Sequence, residues 1–346
     1  LKDHGLPTPV LEIGGTHVTA ALVQGAGEGG WQVVPDSLVR RDLDAHASAA
    51  SLLDAVAAAA NSLDAVATTA NPPGQAHNGR WGVALPGPFD YLTGIARYEH
   101  VGKFDQLQGV DVRAGLAQRL SREPRSITFL NDADAFGIGE YVLGAAGGSR
   151  RAVCITLGTG VGSVFLADGV PVKTGADVPP DGHCYLLQFR GRPLEDTVSR
   201  RAIRRAYAAA TAAVRQDAAV RRDAAVTDDT AGTDAAMTDH DAGAPDVREI
   251  AEACRAGDAL AAAVLGDAFA AAGEAAGPYL ERFGAEVLIV GGSMAESWDI
   301  VEPAIRKGLA AVAPVLATLP IRKAERTEEA GLVGAAFWAQ RAASHS

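Results

Sequence analysis

Residues 152–169, AVCITLGTGVGSVFLADG, repeat the plan of residues 9–23, PVLEIGGTHVTAALV. Each stretch is an aliphatic, β-branched run, a Gly/Thr turn and a second apolar run, which is the signature of a β-hairpin. The later one closes on an Asp-Gly turn. Two like hairpins in one chain argue for two related halves. Glycine has no Cβ, so Gly14-Gly15-Thr16 and Gly158-Thr159-Gly160 can bring backbone N–H groups against phosphate oxygens. The first turn taken alone reads more readily as a plain tight turn; the duplication is what favours phosphate. The second loop continues into Val161-Gly162-Ser163 as GxGxG followed by a strand, so the dinucleotide fingerprint fails its context, and no GxxxxGK[ST] occurs.

A chain of 346 residues exceeds what one hydrophobic core usually serves, so two domains are expected. Hydrophobic residues at 48%, charged residues at 21% and 39 glycines describe a turn-rich globular α/β protein. A net charge of -11 would repel a phosphate backbone, which argues against a nucleic-acid partner. Cys154, Cys184 and Cys254 lie far apart without a CxxC, which suits a reducing cytoplasm. The first residues lack a basic stretch leading into an apolar run, and no later stretch reads as long and apolar enough to span a bilayer. A cytoplasmic protein without a membrane partner is expected.

Between the hairpins, the Ala-rich segments 44–70 and 111–120 read as helical, 81–100 as a strand and loop, and 126–130 as a strand. Helical character returns after residue 199. Residues 216–246 then run through Ala, Asp, Thr and Gly without bulky side chains, so a mobile, solvated insertion is expected, with a ragged extension of a surface helix as the plainer form of it. Residues 247–283 read as helices, 286–290 as a strand, and 328–343 as a closing helix. The expected division is 1–126 plus 328–346 as a smaller domain and 127–327 as a larger one.

Three further motifs carry candidate chemistry. In ITFLNDADAFGIGEY a strand ends at Asn131-Asp132 and passes into a helix, which places Asp132 to accept a proton from a hydroxyl during phosphoryl transfer. Asn131 and Asp132 are also ordinary helix caps. Trp81 to Pro88 is a strand running into a Pro-Gly-Pro turn that exposes Gly87. Val287 to Ser293 places Gly291-Gly292 at the end of a buried strand, where a flat base or ribose could lie.

Taken in order, EIGGT, LPGP, LNDADAFGIGE, ITLGTGVGS, DGH, LED, AEACRAGDALA, IVGGS and EEAGLVGAA resemble the ROK family of repressors and sugar kinases across nearly the whole chain. The resemblance implies an actin-like ATPase fold: two RNase H-like domains with ATP and sugar in a central cleft, and a homodimer. It puts the catalytic aspartate on Asp132, sugar contacts on Gly87, Asn131, His183 and Glu195, nucleotide phosphate contacts on the two Gly/Thr turns, and adenosine on Gly291-Gly292. The family's first-loop aspartate is Glu12 here, so its hold on Mg²⁺, through water, must be arranged differently. Pro180-Asp181-Gly182-His183 stands where relatives carry Glu-x-Gly-His, leaving Asp181 as the candidate replacement for the missing carboxylate. The family's CxCGxxGC loop is replaced by CYLLQFRGRPLED, so no structural zinc is expected. Tyr98-Glu99-His100-Val101-Gly102-Lys103-Phe104 replaces the usual Asn-Leu segment.

These departures cluster on the acceptor side and spare the phosphate loops. The expected activity is therefore ATP-dependent phosphorylation of a primary hydroxyl on a seven-carbon, valiolone-type cyclitol, with glucose or another hexose as the alternative acceptor. A sugar-sensing regulator without catalysis and an actin-like ATPase without an acceptor are the readings from other classes.

Overall fold

The computed structural model describes residues 5–27, 30–66, 77–225 and 245–344. They divide into two compact units: the described parts of 1–152, 166–171 and 324–346, and of 153–165 and 172–323.

In the first unit β1 (Thr8–Ile13) and β2 (His17–Gly27) form the expected hairpin, extended by β3 (Gly30–Val33) and β4 (Val39–Asp42) on β2. On the other side β1 pairs in parallel with β5 (Arg80–Leu85), and β5 in parallel with β8 (Ser126–Asn131). A small hairpin of β6 (Phe89–Asp90) and β7 (Ile95–Ala96) lies between them in sequence. The sheet buries Val10, Val18, Val23, Val83 and Ala84 completely, as expected for strands covered on both faces. Helices α1 (Ala49–Asn61), α2 (Leu63–Val66) and α3 (Val112–Ala117) belong to this unit. So do α4 (Asp132–Leu143) and α10 (Ala330–Ser344).

The pairing of β8 with β5 corrects the expected boundary at 126/127: strand 126–131 and α4 belong to the first unit. Packing of α4 on α10 locks that assignment. A β-carbon on Gly139 would lie 1.9 Å from the Ala330 carbonyl oxygen, and one on Gly334 would lie 1.8 Å from that of Ala135, so the two backbones touch where only glycine fits. Glu140, fully buried, accepts the N–H groups of Glu325 (2.9 Å) and Arg326 (3.0 Å) and so ties the approach to α10 onto α4.

The second unit is built on β9 (Arg151–Leu157), β10 (Val161–Ala167), β14 (Val287–Gly291) and β15 (Ile321–Lys323), in the order β10-β9-β14-β15; β11 (Val170–Pro171), which pairs with the end of β10, falls in the stretch 166–171 grouped with the first unit. The β10–β11 turn is Asp168-Gly169, both at positive φ, as read from the sequence. Its helices are α5 (Glu195–Val198), α6 (Arg200–Ala225), α7 (Val247–Arg255), α8 (Ala259–Phe283) and α9 (Trp298–Val312). Because α6 continues to Ala225, the start of the expected insertion at 216 is a helical extension; its remainder at 226–244 lies outside the described residues.

By length and composition α8 passes the test for a membrane span, against the expectation that no stretch would. Its apolarity has a packing cause. Ala268, Phe269, Ala271, Ala272 and Ala276 are buried in the unit's core, and Gly273 lets the Ile305 carbonyl of α9 approach to within 2.3 Å of where a β-carbon would sit.

Candidate active site

In the first unit the parallel strands bring their C-terminal ends together. Glu12 on β1 sits beside Ala84 on β5, and Leu85 beside Asn131 on β8, so Glu12, the turn 14–16, Gly87, Asn131 and Asp132 share one edge of the sheet. That edge is where open α/β sheets bind ligands. The turn is closed by the Gly14 N–H donating to the His17 carbonyl at 2.9 Å.

Both readings of Asn131-Asp132 are realised, on different side chains. Asn131 is the N-cap of α4: its Oδ1 accepts the Ala133 N–H at 3.0 Å, while its Nδ2 donates to Tyr91 Oη at 3.0 Å. Asp132 is exposed in the first helical turn, with Oδ1 accepting the same Ala133 N–H at 2.9 Å. Tyr91 Oη donates to the Leu85 carbonyl (3.3 Å) and Tyr98 Oη to that of Pro86 (2.6 Å), so a half-buried and a buried tyrosine fix the strand end that leads into Gly87. Burial raises the pKa of both phenols, and the Asp132 charge adds to it, so both stay protonated donors.

Burial also raises the pKa of Glu12, the negative charge of Asp132 adds to this, and Arg40 opposes it. Its carboxylate rests on α10 where Gly331 leaves room: a β-carbon there would be 3.0 Å from Oε1. A half-buried Glu12 whose ionisation the Asp132 charge opposes is a donor that a divalent cation relieves, so this oxygen-rich sheet edge fits Mg²⁺. Beside the turn, His17 Nδ1 lies 3.1 Å from Thr16 Oγ1 and 3.2 Å from Arg40 Nη2. Burial and Arg40 lower the His17 pKa, so Nδ1 accepts from the guanidinium and the proton sits on Nε2.

In the second unit the Gly158 N–H donates to the Gly160 carbonyl at 3.1 Å, and the Gly158 carbonyl accepts from the Arg200 N–H at 2.9 Å, which anchors the loop to the start of α6. Glu195 reaches the same loop: Oε2 accepts the Val161 N–H at 3.1 Å, and a β-carbon on Gly160 would meet that oxygen at 2.8 Å. Gly292, at φ +84°, stands where a β-carbon would be 2.3 Å from the Leu157 carbonyl, and Ser293 Oγ lies 3.7 Å from the corresponding point on Gly158. Gly158, Thr159, Gly160, Gly291 and Gly292 therefore converge on one corner of this unit.

Beside it, Asp181 (φ 55°) and Gly182 (φ 76°) make a left-handed turn that presents His183. Ser163 staples this turn to β10, donating from Oγ to the Gly182 carbonyl (2.8 Å) and accepting the Cys184 N–H (2.7 Å). His183 stacks on the half-exposed Tyr185 with ring centroids 5.3 Å apart. Burial raises the Tyr185 pKa, and the charges of Asp181 and Glu195 add to it. Beyond it, β12 (Gln188–Phe189) and β13 (Arg192–Pro193) make a two-residue hairpin turning at Arg190-Gly191, both at positive φ, flanked by the buried Leu187 and Leu194. Burial pushes the Cys184 thiol up to about 11.

Tyr91, His17, Arg40, Ser163 and Tyr185 were not singled out by the sequence. Their roles come from pairings across the fold, for which no local spacing gives a signal.

A model of the ROK family matches residues 9–342. The chain belongs to the ROK family. A glucokinase from Thermotoga maritima is 26% identical over 267 residues, 74% of this chain and 77% of the relative. Among solved structures, the ROK hexokinase from Thermus thermophilus superposes with a TM-score of 0.71 at 22% identity, covering 99% of this chain and 100% of that one. A ROK glucokinase from Streptomyces griseus, in complex with glucose and AMPPNP, gives 0.63 at 22% identity, covering 97% and 99%. The fold of this ROK protein is thus the actin-like α/β fold that the family resemblance implies.

Proposed function

We propose that this protein is an ATP-dependent kinase that phosphorylates a primary hydroxyl of a sugar or sugar-like cyclitol. The observation that carries the reading is Asp132, an exposed carboxylate at the end of a parallel strand, on the same sheet edge as the first glycine turn and Glu12. Asp132 takes the acceptor's proton as its oxygen bonds to the γ-phosphorus; the bond from that phosphorus to the β,γ-bridging oxygen breaks and ADP leaves. Glu12 would hold Mg²⁺ through water, and the ion, when bound, would neutralise phosphate charge. Asn131, Gly87, His183, Glu195 and Asp181 would bind the acceptor. The two glycine turns and Gly291-Gly292 would hold the nucleotide.

Two acceptors divide the reading. Similarity to glucokinases supports glucose. The sequence departures at Pro180-Asp181-Gly182-His183, at 184–196 and at 98–104, which fall where the family resemblance puts the acceptor, support a seven-carbon cyclitol of valiolone type. A coupled ADP-release screen over glucose, mannose, N-acetylated hexoses, fructose and valiolone-type cyclitols decides between them. ADP release that depends on one acceptor is expected; release that ignores every acceptor would mark an ATPase instead.

A further inference from the structure

A cation from another segment, Lys103, lies against the first glycine turn. Where a β-carbon on Gly15 would sit, the nearest heavy atom is Lys103 Cδ at 3.5 Å, so the aliphatic stem of this half-buried lysine lies along the turn. Lysine stems characteristically pack on apolar or backbone surface while the ammonium reaches for water or an anion. Among the described residues the Lys103 ammonium makes no hydrogen bond or ion pair, although Glu12 and Asp132 stand on the same sheet edge.

The position of Lys103 is built, not incidental. The Leu43 N–H donates to the Thr16 carbonyl of the turn (2.9 Å), and two residues on the Ala45 carbonyl accepts the Phe104 N–H (2.8 Å). One short stretch thus grips both the turn and the residue next to Lys103. Phe104 is buried at φ 61° and Gly102 turns at φ 81°, a conformation held by Asp105, whose carboxylate accepts the N–H groups of Val101 (3.0 Å) and Gly102 (3.3 Å). Tyr98 closes the other end of the segment on Pro86. The result is an ordered loop whose one cationic side chain is laid against a turn of phosphate-binding type.

The geometry points to Lys103 as a phosphoryl-binding residue that contacts the γ-phosphate of the nucleotide at Gly14-Gly15-Thr16 and stabilises the charge on the transferring group. This deepens the kinase reading and rests on it. A positively charged clamp aimed at a transferring phosphoryl group acts mainly in the transition state, and loss of one such donor costs about 10²–10³ in kcat.

The test compares the wild type with Lys103→Met and Lys103→Arg in the full chain. In Lys103→Met, kcat should fall about 100-fold while the acceptor KM stays within about twofold. By calorimetry Mg-AMPPNP should bind about tenfold more weakly and Mg-ADP as in the wild type; Lys103→Arg should recover most of both losses. Unchanged kcat and AMPPNP affinity would overturn the assignment. So would equal weakening of ADP and AMPPNP, or weakening confined to a hexose 6-phosphate. If the wild type transfers phosphate to no acceptor, the kinase reading fails on its own, and the difference between AMPPNP and ADP still decides whether Lys103 meets a γ-phosphate.

Discussion

At Gly14-Gly15-Thr16 the carboxylate beside the turn comes from the strand itself, Glu12, and rests on α10 over Gly331. At Gly158-Thr159-Gly160 it comes from Glu195, 34 residues beyond the Val161 N–H that it accepts. The first turn is looser around its glycines, with His17 at ordinary contact distance from Gly14 and the Lys103 stem from Gly15; at the second, Gly292 presses against the Leu157 backbone and Glu195 against Gly160. The helix packing behind them is alike, since α4 on α10 and α8 on α9 both touch through glycines. The duplicated plan thus preserves the scaffold and diverges at the loops. The first unit gathers two carboxylates and a lysine stem beside its turn, and the second gathers close-packed backbone with Asp181, His183, Tyr185 and Glu195; under the proposed function the first serves phosphate and the second the acceptor.

Substitutions at matched positions break or sharpen that contrast. The largest effect is expected at Gly292→Ala. The new methyl would stand 2.3 Å from the Leu157 carbonyl at a left-handed φ, and the loss of about 3 kcal/mol or more should appear in urea unfolding. Gly160→Ala meets only the end of a flexible side chain, so the fold should hold within about 1 kcal/mol, while displacement of Glu195 raises the acceptor KM about tenfold with the nucleotide KM unchanged.

Glu12→Gln should stabilise the nucleotide-free protein at neutral pH by about 1 kcal/mol while abolishing most turnover. The sign follows from its raised pKa: ionised Glu12 is disfavoured in the fold, a penalty absent in acid and growing as pH rises above the ordinary glutamate range. The stability gain of Glu12→Gln, followed by thermal melts against pH, should therefore vanish at low pH. The smallest effect is at Gly15→Ala, where the methyl would make an ordinary 3.5 Å contact with Lys103; a stability change below about 0.5 kcal/mol is expected.

Much of this arrangement is legible in the sequence because phosphate turns and strand-end acids are local patterns. EIGGT, LGTG, LNDAD and IVGGS each place a strand, its breaker and its polar residue within a few positions, and the structure puts each at a strand end. The domain boundary was not legible, because β8 joins the first sheet only through parallel pairing with β5, a contact between distant segments. The tyrosines that fix Pro86 and Asn131, and the serine that staples Gly182, were hidden for the same reason. The apolar length of α8 was missed: read as part of an ordinary helical segment, its alanines and glycines serve close packing on α9, yet by length and composition they pass as a membrane span.

The central claim is that Asp132 accepts the proton of the hydroxyl being phosphorylated. Its most direct test is acceptor-dependent ADP release by Asp132→Asn, measured beside the wild type at saturating ATP and acceptor. A fall of about 10²–10⁴-fold in kcat, with AMPPNP binding preserved, is the predicted result. Turnover near that of the wild type would contradict it.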